Sequence, residues 1–105
     1  MDPKTVHERR DQVQILDVRE DDEWSAGRID GAVHIPLGEL PARAGELDRD
    51  RPVVTVCRGG GRASKATEQL TQAGWNAQPM EGGMTQWVSD GLEFTTPDGR
   101  PGRLG

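Results

Sequence analysis

An α/β domain built on a central parallel sheet is what this sequence predicts, on three observations. Short β-branched or apolar runs at residues 14–18, 32–35, 53–56 and 77–80 read as strands. Segments with helical spacing separate them, and strands that alternate with helices predict parallel pairing with helices on both faces of the sheet, a three-layer arrangement. The chain is 105 residues long, the usual size of one domain with one modest core.

Each element has its own signal. Residues 5–10 have the pattern of a short helix ahead of the first strand. Pro41 limits any helix between Leu37 and Leu47 to a short or broken piece. After the 53–56 strand, Ala63, Ala66, Leu70 and Ala73 recur at helical spacing, and Gly74 stands where a helix C-cap prefers glycine. Gly91 does the same for a helix that follows Gly83. Trp24, Trp75 and Trp87 are expected in the core. Residues 95–105, with Pro97, Gly99, Pro101 and Gly102, read as a flexible, solvated tail with nothing to bury, so the folded domain is expected over residues 1–94.

Cys57 is the only cysteine, and it stands where a strand becomes a glycine loop and then a helix. Ligands of parallel sheets bind beyond the carboxyl ends of the strands, which is where this order puts the thiol. A curled run such as Arg58-Gly59-Gly60-Gly61-Arg62-Ala63 can turn successive backbone N–H groups inward, and the dipole of the following helix reinforces the anion cradle they form. Arg58, Arg62 and Lys65 add positive charge within eight positions of the sulfur. Nearby cations and a helix N-terminus make a thiol easier to ionise. A thiolate facing an anion cradle points to sulfur or phosphorus chemistry, with Cys57 the nucleophile.

Ring size separates those two chemistries. Cysteine phosphatase loops follow Cys-x5-Arg, in which the arginine clamps the phosphate oxygens. Here Arg62 arrives one residue early and Ala63 holds the phosphatase position, so the smaller ring favours a sulfur atom. Cys57, Arg58, Gly60 and Arg62 match the Cys-Arg-x-Gly-x-Arg loop common in the rhodanese family of sulfurtransferases. Asp17-Val18-Arg19-Glu20, Glu23-Trp24 and the run Gly27 to Pro36 resemble that family's upstream signature. Gly82-Gly83-Met84-Thr85-Gln86-Trp87 with Gly91 resembles its downstream one. The resemblance covers residues 13–94, in the family's order.

The resemblance implies a single-domain rhodanese-like fold with a sheet of four to five strands. The family usually opens with a short strand, for which residues 1–4 give almost no signal, so the opening strand is either missing or shortened and the chain either short by nature or a piece of something larger. It also implies a thiosulfate:cyanide type of sulfurtransferase. Cys57 would take a sulfane sulfur from a small anionic donor such as thiosulfate as a persulfide, and pass it to cyanide, a small thiol or a protein thiol. Arg58 and Lys65 would draw in the donor. Arg62 either joins them or braces the loop, and Gly60 is the loop glycine with a conformational need. Asp17, Arg19 and Glu23 read as structural supports. His34 reads as a packed or partly exposed side chain and not a general base; Arg28 stands where the family often has histidine. Two other readings stay open: a persulfide carrier or regulatory module that docks on a partner without turning over, and, less favoured, a phosphatase or arsenate reductase.

Composition narrows the setting. The net charge is −5, which argues against nucleic acid and anionic membrane surfaces as partners. Apolar residues are 32% of the chain and the mean hydropathy is −0.75, so the core is expected to be small. No run approaches the roughly eighteen apolar residues of a membrane span, and the start lacks the apolar stretch of a secretory signal. A single cysteine permits no internal disulfide, which suits a cytoplasmic, reducing compartment. His7, His34 and Cys57 form no metal spacing, and neither a metal nor an organic cofactor is expected.

Overall fold

The computed structural model describes residues 1–104; Gly105, the last residue of the expected tail, lies outside the described residues. In chain order the elements are α1 (Pro3–Glu8), β1 (Gln14–Asp17), α2 (Asp21–Ala26), β2 (Val33–His34), α3 (Leu40–Arg43), β3 (Val53–Val56), α4 (Gly61–Gln72), β4 (Ala77–Pro79) and α5 (Gly83–Ser89). A 3-10 turn flanks α3 on each side, the broken helix that Pro41 predicts. The strands form one parallel sheet in the order β2-β1-β3-β4, so the expected α/β architecture is present with four strands among the described residues.

No strand precedes β1 among those residues. Asp2 accepts the Thr5 amide at 2.8 Å and Pro3 supplies a pre-set φ at the first helical position, which starts α1 two residues ahead of Thr5. Met1 lies beside the end of β4, its carbonyl accepting the Glu81 amide at 3.0 Å.

Strands β1 and β3 are buried along their whole length, and their side chains alternate between two cores. Leu16, Val53 and Cys57 face the side where Leu40, Ala63, Ala66 and Leu70 bring α3 and α4 onto the sheet. Ile15, Val54 and Val56 face the other side, where Val6, Met84 and Trp87 bring α1 and α5. Helices thus cover both faces, and the Cys57 thiol belongs to the α4 side.

A charged group holds the top of β1. Arg19 is 1% exposed, and its Nε and Nη2 donate to the Asp17 carboxylate at 2.7–3.0 Å. Its remaining donors reach the Glu23 carbonyl at 3.3 Å and the Gly27 carbonyl at 2.7 Å, so this one side chain ties α2, which buries no residue of its own, to the sheet.

Two expectations need correction. Trp24 is not core: it is half-buried on the surface, stacked on His34 at 4.6 Å between centroids, with the Arg28 guanidinium 4.5 Å above its ring. A six-residue helix held by a polar anchor has no apolar face to bury, and its tryptophan finds aromatic and cationic neighbours instead. Trp75 and Trp87 are buried as expected. The expectation that residues 95–105 have nothing to pack against is also corrected, although Pro97 to Pro101 are exposed. Thr95 bridges to Arg28 and to Pro101, the Gly102 amide reaches the Phe94 carbonyl and the Arg103 amide the Ala26 carbonyl, both at 2.8 Å. Gly27 and Gly102 make this possible, since a Cβ on Gly27 would come within 2.3 Å of the Phe94 ring and one on Gly102 within 2.7 Å of Gly27 Cα. Gly102 reads as part of a solvated tail, yet together with Gly27 it lets the two backbones meet.

Replacing Arg19 with methionine leaves the Asp17 carboxylate buried without its partner. The expected loss is about 3–5 kcal/mol of unfolding free energy in urea, and a loss under about 1 kcal/mol would contradict the anchoring role.

Candidate active site

The site begins where β3 stops. Val56 ends the strand, Cys57 to Gly60 turn, and Gly61 opens α4. Cys57 is 1% exposed, and its Sγ accepts the Gly60 amide at 2.9 Å. Of the three loop glycines only Gly60 has a left-handed backbone, with φ +114°, so Gly60 alone is required by conformation. A Cβ on Gly59 or Gly61 would meet nothing within 4 Å.

The loop's carbonyls are drawn to one side. The first turn of α5 donates the Met84 amide to the Cys57 carbonyl at 2.8 Å and the Thr85 amide to the Arg58 carbonyl at 3.1 Å. Thr85 Oγ1 adds a second donor to the Arg58 carbonyl, also at 3.1 Å. In a trans peptide the N–H points opposite to the C=O, so the Arg58 and Gly59 amides are turned away from α5. Gly83 has φ +61°, and a Cβ there would lie 2.4 Å from the Arg58 carbonyl oxygen, so only glycine lets α5 come this close. Among the described residues the amides of Arg58, Gly59, Gly61, Arg62 and Ala63 donate to no protein acceptor. The Gly60 amide meets the sulfur, and these five amides on the residues either side of it are left without a protein acceptor, which is what an anion cradle of the kind read from the glycine run requires.

The cations divide. Arg58 and Lys65 are exposed, and neither side chain has a polar partner among the described residues. Arg62 is engaged: its Nη1 and Nη2 donate to the two Glu23 carboxylate oxygens at 2.6 and 3.0 Å, tying α4 to α2. The Arg62 hydrogen bonds hold the Glu23 carboxyl down at about 2, and Glu23 in turn pushes Arg62 up. Of the two roles open for Arg62, bracing is the one this pairing supports. Ala63 is fully buried against the sheet, and Thr55 below it donates its hydroxyl to the Ala63 carbonyl at 2.9 Å. His34 offers Nε2 to the Arg19 carbonyl at 2.7 Å and packs on Trp24.

Cys57 to Ala63 come together as one loop, and Asp17 lies beside Val56 at the strand end from which that loop leaves. Sequence reasoning gave no site role to Gly83, Met84 or Thr85, and their signal was a glycine pair directly before a helix.

A family model for the rhodanese-like domain matches residues 2–90. This chain belongs to the rhodanese-like domain family. The putative sulfurtransferase YtwF of Bacillus subtilis is 38% identical over 83 residues, spanning 79% of this chain and 81% of that protein. The putative sulfur carrier protein YrkF of the same organism is 37% identical over 82 residues, 74% of this chain and 43% of the relative. Among solved structures, a rhodanese-related protein from Thermoplasma volcanium superposes with a TM-score of 0.87 at 32% identity, covering 90% of this chain and 95% of its own. The four-stranded parallel sheet described above is the rhodanese-like fold.

The Glu23–Arg62 pair gives a pH signature. A carboxyl lowered from 4.5 to about 2 stabilises the fold fully above the unfolded value, and that contribution drains away as pH falls from 4.5 through about 2. Against Glu23→Gln, the wild type is expected to be more stable by about 1–2 kcal/mol near neutral pH, with the gap closing below about pH 4 in urea titrations. A gap that stays constant down to about pH 2 would contradict the pairing.

Proposed function

We propose that this domain is a sulfurtransferase that carries a sulfane sulfur on Cys57. The observation that supports this reading is a lone thiol that accepts one loop amide beside five more without a protein acceptor, in a chain whose relatives are named for sulfur transfer and sulfur carriage.

The Cys57 thiolate attacks the outer sulfur of thiosulfate. A new S–S bond forms to Cys57, the old S–S bond breaks, and sulfite leaves with its electron pair. The persulfide anion is then held by the Arg58, Gly59, Gly61, Arg62 and Ala63 amides, which stabilise negative charge where it develops. Cyanide or a thiolate next attacks the terminal sulfur, takes it as thiocyanate or a new persulfide, and returns the Cys57 thiolate. Each half-reaction passes through the same covalent species, so the kinetics are ping-pong. No general base is needed when the nucleophile is already a thiolate, and His34 is committed to Arg19 and Trp24. Arg58 and Lys65 attract the anionic donor. A lone thiol of this kind works in a reducing compartment, which favours the cytoplasm.

One specific observation favours a second reading. Cys57 is almost fully covered, so discharge depends on how well an acceptor reaches the outer sulfur, and a protein thiol that docks on the loop would meet a stable, stored persulfide. This is the carrier reading, and the name of YrkF lends it support. The phosphatase reading is disfavoured because the loop arginine is paired with Glu23 and is not free to clamp phosphate oxygens.

Intact-mass measurement before and after thiosulfate, and again after cyanide, separates these readings. A gain of one sulfur that cyanide removes with repeated thiocyanate release is the expected result, and it is expected to vanish in Cys57→Ser. Loading without turnover would favour the carrier, and no loading would contradict both.

A further inference from the structure

Three cations surround Cys57 in the sequence, yet the structure leaves only two of them free. Arg58 and Lys65 stand exposed, whereas Arg62 gives both terminal nitrogens to both oxygens of Glu23. An ion pair presents a dipole in place of a charge, so its pull on a distant anion is weak. Glu23 is itself well fixed. Its Oε1 also accepts the Glu20 amide at 3.0 Å, and its carbonyl is held by the buried Arg19. Arg62 cannot swing toward an anion in the loop without leaving a partly buried carboxylate unpaired, which is costly.

Resting on the sulfur-transfer reading above, we propose that Glu23 is a specificity-determining residue: by neutralising Arg62 it limits the site's preference for anionic over neutral reactants. The chemistry gives this a purpose. Thiosulfate and the departing sulfite are both anions, and a free Arg62 would hold them about equally. Binding donor and product alike does not raise turnover, and it slows product release. With Arg62 paired, Arg58 and Lys65 bring the donor to the loop from the exposed side, and sulfite leaves without a free Arg62 guanidinium to detain it.

The test uses the full chain and the thiol alone. Cys57 is alkylated with iodoacetate, which is anionic, and with iodoacetamide, which is neutral, at one pH and low salt, and the ratio of the two rates is followed by intact mass. Glu23→Gln keeps the size of the side chain and an oxygen for the Glu20 amide. It is expected to raise the iodoacetate to iodoacetamide ratio on the order of fivefold, as a neighbouring charge is unmasked. The rise is expected to shrink at about 1 M salt, where screening is strong. In the double variant Glu23→Gln, Arg62→Gln the ratio is expected to return to within about twofold of wild type, because the effect runs through Arg62.

A loop that is merely loosened would change both rates together and leave the ratio alone. An unmoved ratio in Glu23→Gln, or an equal rise in the double variant, would overturn the proposal. Thiosulfate loading of the same proteins separates this from the reading beneath it. A shifted ratio without loading would sink sulfur transfer and keep the role of Glu23, and loading with an unmoved ratio would do the reverse.

Discussion

The amides of Met84 and Thr85 take the carbonyls of Cys57 and Arg58, and these hydrogen bonds decide which way the loop's own N–H groups point. A peptide plane has one donor edge and one acceptor edge, so a carbonyl drawn toward α5 commits its amide to the opposite side. The left-handed turn at Gly60 then carries the chain into α4, whose first amides have no intrahelical acceptor by the geometry of any helix start. Two different causes therefore fill one ring with donors. Neither would suffice alone: α4 without the α5 contact leaves the loop's first two peptides undirected, and the α5 contact without Gly60 leaves no route into the helix.

The rest of the molecule keeps those elements in register. Strands β1 and β3 are buried on both faces, which requires a helical layer on each side and places α4 and α5 on opposite sides of the same strand end. α5 meets the loop after β3 directly, and Gly83 marks the point at which a single methyl group would collide. Arg19 does the corresponding work for β1. Buried against Asp17, it fixes α2 through two carbonyls, and α2 in turn holds Arg62 through Glu23. The route from the first strand to the active loop is thus polar throughout, a chain of charged groups, each with its partner.

Much of this was legible in the sequence, and the boundary follows from sequence separation. The Cys57 loop is local: strand, glycines and helix are contiguous, and Gly60 could be chosen because it holds the glycine position of the Cys-Arg-x-Gly-x-Arg loop that this stretch resembles. Pro41 and Gly74 were legible for the same reason, since proline and glycine act on their own backbone. The Glu23–Arg62 pair joins residues 39 apart, and nothing in either neighbourhood says that this carboxylate and not a substrate will meet the arginine. The α5 contact is distant in the same way. Composition misled at the C-terminal segment, where Gly102 reads as flexible but serves as a flat surface against Gly27. It misled again at Trp24, where a large apolar residue implied core and the short polar helix gave it none.

Backbone amide resonances of the loop, followed by 15N NMR as the protein is loaded with thiosulfate and discharged with cyanide, test the central claim most directly. If the loop amides hold the terminal sulfur, the Arg58, Gly59, Gly61, Arg62 and Ala63 signals will move together on loading and return on discharge, while those of α1 and β4 stay in place. Loading detected by mass with those five signals unmoved would mean that the persulfide lies elsewhere and that the cradle is not what stabilises it.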